Sequence, residues 1–283
     1  MNEEYVTVDG LNTRYLVRGT GPVIILIHGL GEFLEGWLFN LAALSKYCTV
    51  YAIDLPGHGL SEESMHNHNI GFYVEFVVNF MAIMGISRAS LLGHSMGGPI
   101  CLSLAVDFPS KVNKLVLVNS GGFHNKVSWG YRLATIPFLG KILLGSPLLI
   151  NRATIRFGMR RQFYNPEIVP EAWIDAANKH LRRPKRNETM LNITKNYTGI
   201  GSIHSDATVT DKLPQVKQPT LIIHGMQDKV IPVEHAYTAC NLIPHARLEI
   251  FHQCGHNPQI EKAAKFNEVV LSFLRSTEYQ QGR

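Results

Sequence analysis

Apolar positions along this chain follow two rhythms in alternation. Tyr5–Val8 and Thr13–Val17, joined by Asp9-Gly10, predict an antiparallel hairpin. Val23–His28 is a continuous apolar run, the pattern of a strand covered on both faces. Val50–Leu55, Ser90–Gly93, Leu115–Asn119, Thr220–His224 and Arg247–Phe251 repeat that character. Between them helix-period patterns occupy Glu35–Ser45, Gly71–Met84, Met96–Asp107, Val233–Asn241 and Pro258–Leu274. Strand and helix in alternation predict an α/β fold with a mostly parallel, doubly wound sheet.

The rhythm changes after Leu115–Asn119. From Gly121 to about Thr210 the chain is rich in arginine, aromatic residues and helical periodicity, without a clear buried strand. Pro214 and Pro219 then lead back into the apolar run Thr220–His224. The expectation is a core formed by residues 1–120 and 211–283, with residues 121–210 inserted as a helical cap. A length of 283 residues suits one large domain carrying an insertion.

Composition narrows the class. At 45% hydrophobic and 17% charged residues, disorder is excluded. Ala134–Ile150 is the longest apolar stretch outside the sheet, but two prolines, two glycines and a lysine interrupt it, so no membrane span is expected. The acidic start Met1-Asn2-Glu3-Glu4 runs directly into a strand and reads as no secretory signal. Cys48, Cys101, Cys240 and Cys254 lie far apart, without metal or dithiol spacing. Together these features predict a cytoplasmic protein with free thiols, monomeric or homodimeric.

The net charge of +5 is unevenly distributed. The inserted segment holds 13 Lys and Arg against 5 Asp and Glu, while the remainder carries −3. A solvated basic face accounts for this, and weak contact with anionic substrates or lipid surfaces is the functional alternative. No nucleic-acid module is present, since aromatic and basic residues are not interleaved in a binding pattern.

The chemistry concentrates at the ends of the strands. Gly93-His94-Ser95-Met96-Gly97 follows one strand and opens a helix, the setting in which a serine is held in a strained, exposed turn. A serine nucleophile needs a base, a carboxylate to orient it and donors for the developing oxyanion. Asp228 follows the strand ending at His224, and His256 follows the last strand. The order Ser95, Asp228, His256 is that of nucleophile-elbow hydrolases, and active sites of parallel sheets gather at the carboxyl ends of the strands. The backbone N–H groups of Leu30, in His28-Gly29-Leu30-Gly31, and of Met96 are the expected oxyanion donors. Asp54 is read as bracing its turn, and His252 as the rival to His256 within the end of the strand.

On His28-Gly29, Asp54-Leu55-Pro56-Gly57-His58-Gly59, Gly93-His94-Ser95-Met96-Gly97-Gly98, Gly225 with Asp228, and Gly255-His256, the chain resembles α/β-hydrolase fold enzymes over almost its whole length. The resemblance implies Ser95 as nucleophile, His256 as base and then acid, Asp228 as orienting acid, and an acyl-enzyme intermediate. It also implies that no metal or organic cofactor takes part.

A serine at the elbow argues against the dehalogenase and epoxide-hydrolase chemistry of relatives with aspartate there. Trp129, Leu133, Ile136, Phe138, Phe163 and Trp173 are the candidates for lining an apolar acyl pocket, with cap core as the alternative for each. The preferred substrate is a small-molecule carboxylic ester with a small to medium apolar acyl group. The first alternative is carbon–carbon hydrolysis of aromatic ring-fission dienoates. His94 in place of asparagine, and Asn257 in place of an aromatic residue, depart from those enzymes; Arg152, Arg156, Arg160 and Arg161 could pair with a substrate carboxylate. The second alternative is a small-molecule receptor on the same fold.

Overall fold

In the computed structural model, the described residues are 3–64, 68–123, 151–183, 189, 192–193, 198–199, 202–203 and 208–276. The apolar runs become strands, the central ones buried between helices on both faces of the sheet. They are β1 (Glu4–Val8), β2 (Leu11–Arg18), β3 (Val23–Ile27), β4 (Thr49–Ile53), β5 (Ala89–His94) and β6 (Val112–Val118). After a two-stranded ladder of β7 (Thr198–Gly199) and β8 (Ser202–Ile203) come β9 (Thr220–Gly225) and β10 (Ala246–Phe251). The main sheet runs β1-β2-β4-β3-β5-β6-β9-β10. In this sheet β2 pairs antiparallel with both β1 and β4, and the other pairings are parallel.

Alternate side chains of each strand feed separate cores. Ile25, Ile27, Leu91, Leu115 and Leu117 pack against α2 (Ile70–Ile83), α3 (Gly97–Asp107) and α6 (Glu234–Leu242). Ile24, Leu26, Leu92, Val116 and Val118 pack against α1 (Leu38–Leu44) and α8 (Ala263–Arg275). The sheet is doubly wound.

Two expected helices are subdivided. Glu35–Ser45 begins as a 3-10 turn, Leu34–Trp37, before α1, because Asp54 accepts from the Leu34 N–H and holds the entry tight. Pro258–Leu274 breaks at Lys262, whose backbone (φ −129°, ψ 40°) separates the short α7 (Pro258–Glu261) from α8.

Between β6 and β9 the chain contributes α4 (Arg152–Met159) and α5 (Glu171–Leu181). An asparagine capping box starts α4: the Asn151 side chain accepts from the N–H groups of Ala153 and Thr154. Ile155, Met159, Trp173 and Ile174 form a third core with Phe33 and Ile260, so this segment sits over the loops at the carboxyl ends of the strands. At its base the Val209 N–H donates to the Gly122 carbonyl at 2.9 Å, joining the outgoing and returning chain. Among the described residues no helix is long and apolar enough to cross a membrane.

Candidate active site

Ser95 has φ +52°, a left-handed conformation that a side chain resists and that persists here because its surroundings enforce it. Its N–H donates to the Val118 carbonyl and its own carbonyl accepts from the Gly98 N–H. The turn closes only because its neighbours lack side chains. A β-carbon on Gly93 would collide with the Gly97 backbone, and one on Gly97 with the Ile27 backbone.

Asp228, on the turn after β9, is buried and fully engaged. Its Oδ1 accepts from the N–H groups of Val230 (2.7 Å) and Ile231 (3.0 Å). Its Oδ2 accepts from His256 Nδ1 (2.7 Å) and from the Asn119 amide (2.6 Å). Burial works against the charged carboxylate, but His256, His224 and Asn119 outweigh it and hold the pKa down at about 2. For His256 burial likewise opposes charge; Asp228, then Glu32 and Glu261, overcome it and raise the pKa above the ordinary value. With Nδ1 given to Asp228, Nε2 is the nitrogen left to exchange a proton.

The loop after β3 approaches Ser95 closely: a β-carbon on Gly29 would lie 2.9 Å from that of Ser95. Gly31, at φ +77°, turns the loop back. Glu32 holds it from within, its Oε2 accepting from the Gly29 N–H at 2.9 Å. Among the described residues no hydrogen bond engages the N–H of Leu30 or of Met96, so both donors remain unspent.

His94, fully buried on β5, spans the site. Its Nδ1 lies 2.8 Å from Glu32 Oε2 and its Nε2 lies 2.8 Å from the His256 backbone carbonyl. Burial opposes the Glu32 charge, but His94, His256 and the Gly29 N–H hold its pKa at about 2. Glu32, His94 and His256 present possible ligand atoms within 4.8 Å of one another, a spacing that suits a cation. Both His94 nitrogens and the Glu32 oxygen are already committed to these contacts, so the set does not fit a resident metal.

The loop carrying His256 is fastened to the inserted segment. The His256 N–H donates to the Gln162 carbonyl at 2.6 Å. Glu261 accepts from the N–H groups of Gly255 and Tyr164, both at 2.8 Å.

Asp54 braces its turn, accepting from the N–H groups of Leu34 and Leu60 and from Arg14. His252 lies just past β10 rather than within it and is exposed. Phe163 and Trp173 are buried in the third core, their rings 5.8 Å apart, with Phe33 5.9 Å from Trp173. Trp129, Leu133, Ile136 and Phe138 lie outside the described residues. Arg152 and Arg156 pair with Glu171 at the surface, and Arg152 also with Asp175, which spends both on acidic neighbours.

Sequence reasoning gives Glu32, Glu261, Gln162 and Asn119 no role in the site. Glu32 lies four residues beyond His28 on a loop already marked as an oxyanion candidate, a position that could have drawn notice.

With this geometry established, comparison places it among known proteins. A family profile described as alpha/beta hydrolase fold matches residues 22–139 and 151–263. The dihydrolipoyllysine-residue acetyltransferase component of the acetoin cleaving system of Cupriavidus necator is 32% identical, over 96% of this chain and 68% of that one. The 2-hydroxymuconate semialdehyde hydrolase of Pseudomonas sp. (strain CF600) is 30% identical, over 95% and 92%. Among solved structures, the 2-hydroxy-6-oxo-6-phenylhexa-2,4-dienoate hydrolase of Rhodococcus sp. strain RHA1 superimposes with a TM-score of 0.84 at 23% identity, over 97% and 99%.

Proposed function

The chain belongs to the α/β-hydrolase fold family and is a hydrolase, and from that premise we propose that Ser95, His256 and Asp228 carry its chemistry by cleaving a bond to a carbonyl carbon. Ser95 Oγ attacks that carbon while its proton passes to His256 Nε2. The oxyanion is held by the N–H groups of Leu30 and Met96, which have no other partner among the described residues. The bond to the leaving atom breaks as His256 returns the proton to it. Water, activated by the same ring, then releases the acid from Ser95. The single observation that carries this reading is the 2.7 Å bond from His256 Nδ1 to a buried, ionised Asp228, which fixes the ring with Nε2 available.

For the substrate class we take ring-fission dienoates, with carbon as the leaving atom. The support is the pair of relatives named above as hydrolases of 2-hydroxymuconate semialdehyde and of a phenylhexadienoate, each aligned over nearly the full length of both chains. This reverses the order of preference drawn from sequence, where apolar esters came first. The ester reading stays second on two observations. His94 takes the place of the asparagine expected beside the nucleophile, and Asn257, following His256, donates to Gln162 rather than presenting an aromatic face. Residues 121–210 act in either case as a cap, of which the described segment 151–183 is seated on Phe33 and on the loop carrying His256.

Turnover of a ring-fission dienoate beside aryl esters of increasing acyl length tests the choice. We expect kcat/KM for the dienoate to exceed that of the best ester by at least about tenfold, or about 1.4 kcal/mol in transition-state binding. The opposite ranking would move the protein to the esterases.

A further inference from the structure

The acyl-transfer reading needs three groups from three separate loops held in register. The Leu30 N–H follows β3, Ser95 follows β5 and His256 follows β10, and no stretch of sequence joins them. One side chain touches all three loops. His94 immediately precedes Ser95. Its Nδ1 lies 2.8 Å from Glu32 Oε2, and that same oxygen accepts from the Gly29 N–H at 2.9 Å. On its other side, Nε2 lies 2.8 Å from the backbone carbonyl of His256 itself.

Both neighbours of this ring are oxygens, one on a side chain and one on the backbone. The ring has no exposure to solvent, so no water competes for either nitrogen. Both of its polar atoms are engaged, the condition under which a buried network holds a geometry firmly.

We propose that His94 is a positioning residue that, through its contacts with Glu32 and with the His256 carbonyl, ties the oxyanion loop to the backbone of the base and so sets the distance between them. This rests on the assignment of Ser95, His256 and Leu30 made above. His94 does not touch substrate in this account. It acts through Gly29 on the Leu30 N–H and through the backbone carbonyl of His256 on that residue's imidazole; the backbone N–H of His256 is itself fastened by the Gln162 carbonyl. Both effects are felt in the transition state, where the oxyanion has formed and the proton has moved. Binding of the ground state is therefore expected to change little.

Two measurements test the proposal. Nitrogen-15 NMR of the wild-type protein, with His94 assigned by comparison with His94→Gln, reads whether each ring nitrogen is hydrogen-bonded. We expect both to be; a ring nitrogen without a hydrogen bond would overturn the proposal. This readout needs no substrate. The second is the rate of covalent labelling of Ser95 by a fluorophosphonate in His94→Gln, Glu32→Gln and the double variant, each checked for folding by its thermal transition. We expect the maximal labelling rate to fall at least about tenfold in either single variant, with the concentration for half-maximal rate within about threefold of wild type. Because the two side chains act as one unit, the double variant should lose no more than the worse single one. A folded His94→Gln that labels within twofold of the wild-type rate, or full additivity in the double variant, would also overturn it. If the wild-type protein itself fails to label, the acyl-transfer reading falls, while the NMR result still decides whether His94 bridges the two loops.

Discussion

The side-chain amide of Asn119 donates, at 2.6 Å, to the same oxygen of Asp228 that accepts from His256. Asn119 holds φ +40°, and its amide also reaches the Gly255 carbonyl at 3.1 Å. The chain end of β6 thereby fixes both Asp228 and the start of the loop that carries His256. Removing a hydrogen bond to a charged group costs about 1.5–3 kcal/mol, so Asn119→Ala should lower kcat by about 10- to 100-fold with KM little changed. Asp228→Asn removes the charge and the tautomer control together, and a loss of about 10³- to 10⁴-fold is expected. Steady-state kinetics of both variants checks this; near-full activity in Asp228→Asn would remove the acid assignment.

The pH profile follows from the His256 environment. Burial opposes the protonated ring, but Asp228, Glu32 and Glu261 favour it more strongly, so protonation persists to higher pH than for an ordinary histidine. A protonated base cannot accept the serine proton. The kcat/KM profile should therefore fall as pH drops through a midpoint above about 6.5. Asp228, with its pKa at about 2, stays ionised throughout and adds no second acidic limb near pH 4. A midpoint below 6 would contradict this assignment.

Gly93 is where the elbow tolerates no side chain. Its added β-carbon meets the carbonyl and carbon of Gly97 and the nitrogen of Gly98, all backbone atoms that cannot swing away. Gly93→Ala should destabilise the fold by more than about 3 kcal/mol, measured by urea unfolding. Stability within 1 kcal/mol of wild type would mean that the strand–helix contact is looser than described.

Trp173 packs between Phe33 and Phe163 in the core of the inserted segment. Trp173→Ala should cost about 3–5 kcal/mol of stability. If unfolding shows no loss while acyl-chain preference changes, Trp173 lines the substrate site instead.

The sheet was legible in the sequence because strands buried on both faces announce themselves as unbroken apolar runs, as in Val23–Ile27 and Thr220–Gly225. The candidate triad was legible because each member stands just past such a run. The break at Lys262 was not, since the apolar period continues from Ile260 into Phe266 and Val270 while the backbone turns. Glu32 and Asn119 were obscure for another reason. Their partners His94 and Asp228 lie 62 and 109 residues away, and only the closed sheet brings them together. Phe163 and Trp173 illustrate a third limit: periodicity marks burial, and a core aromatic and a pocket aromatic carry the same mark.

The identity of the nucleophile can be read directly. Incubation with a fluorophosphonate, proteolysis and mass spectrometry locate the modified residue. The account predicts a single adduct, on the peptide containing Ser95, absent in Ser95→Ala and abolished when the wild-type protein is unfolded first. Folded wild-type protein that remains unmodified, or that carries its adduct on any other residue, would contradict it.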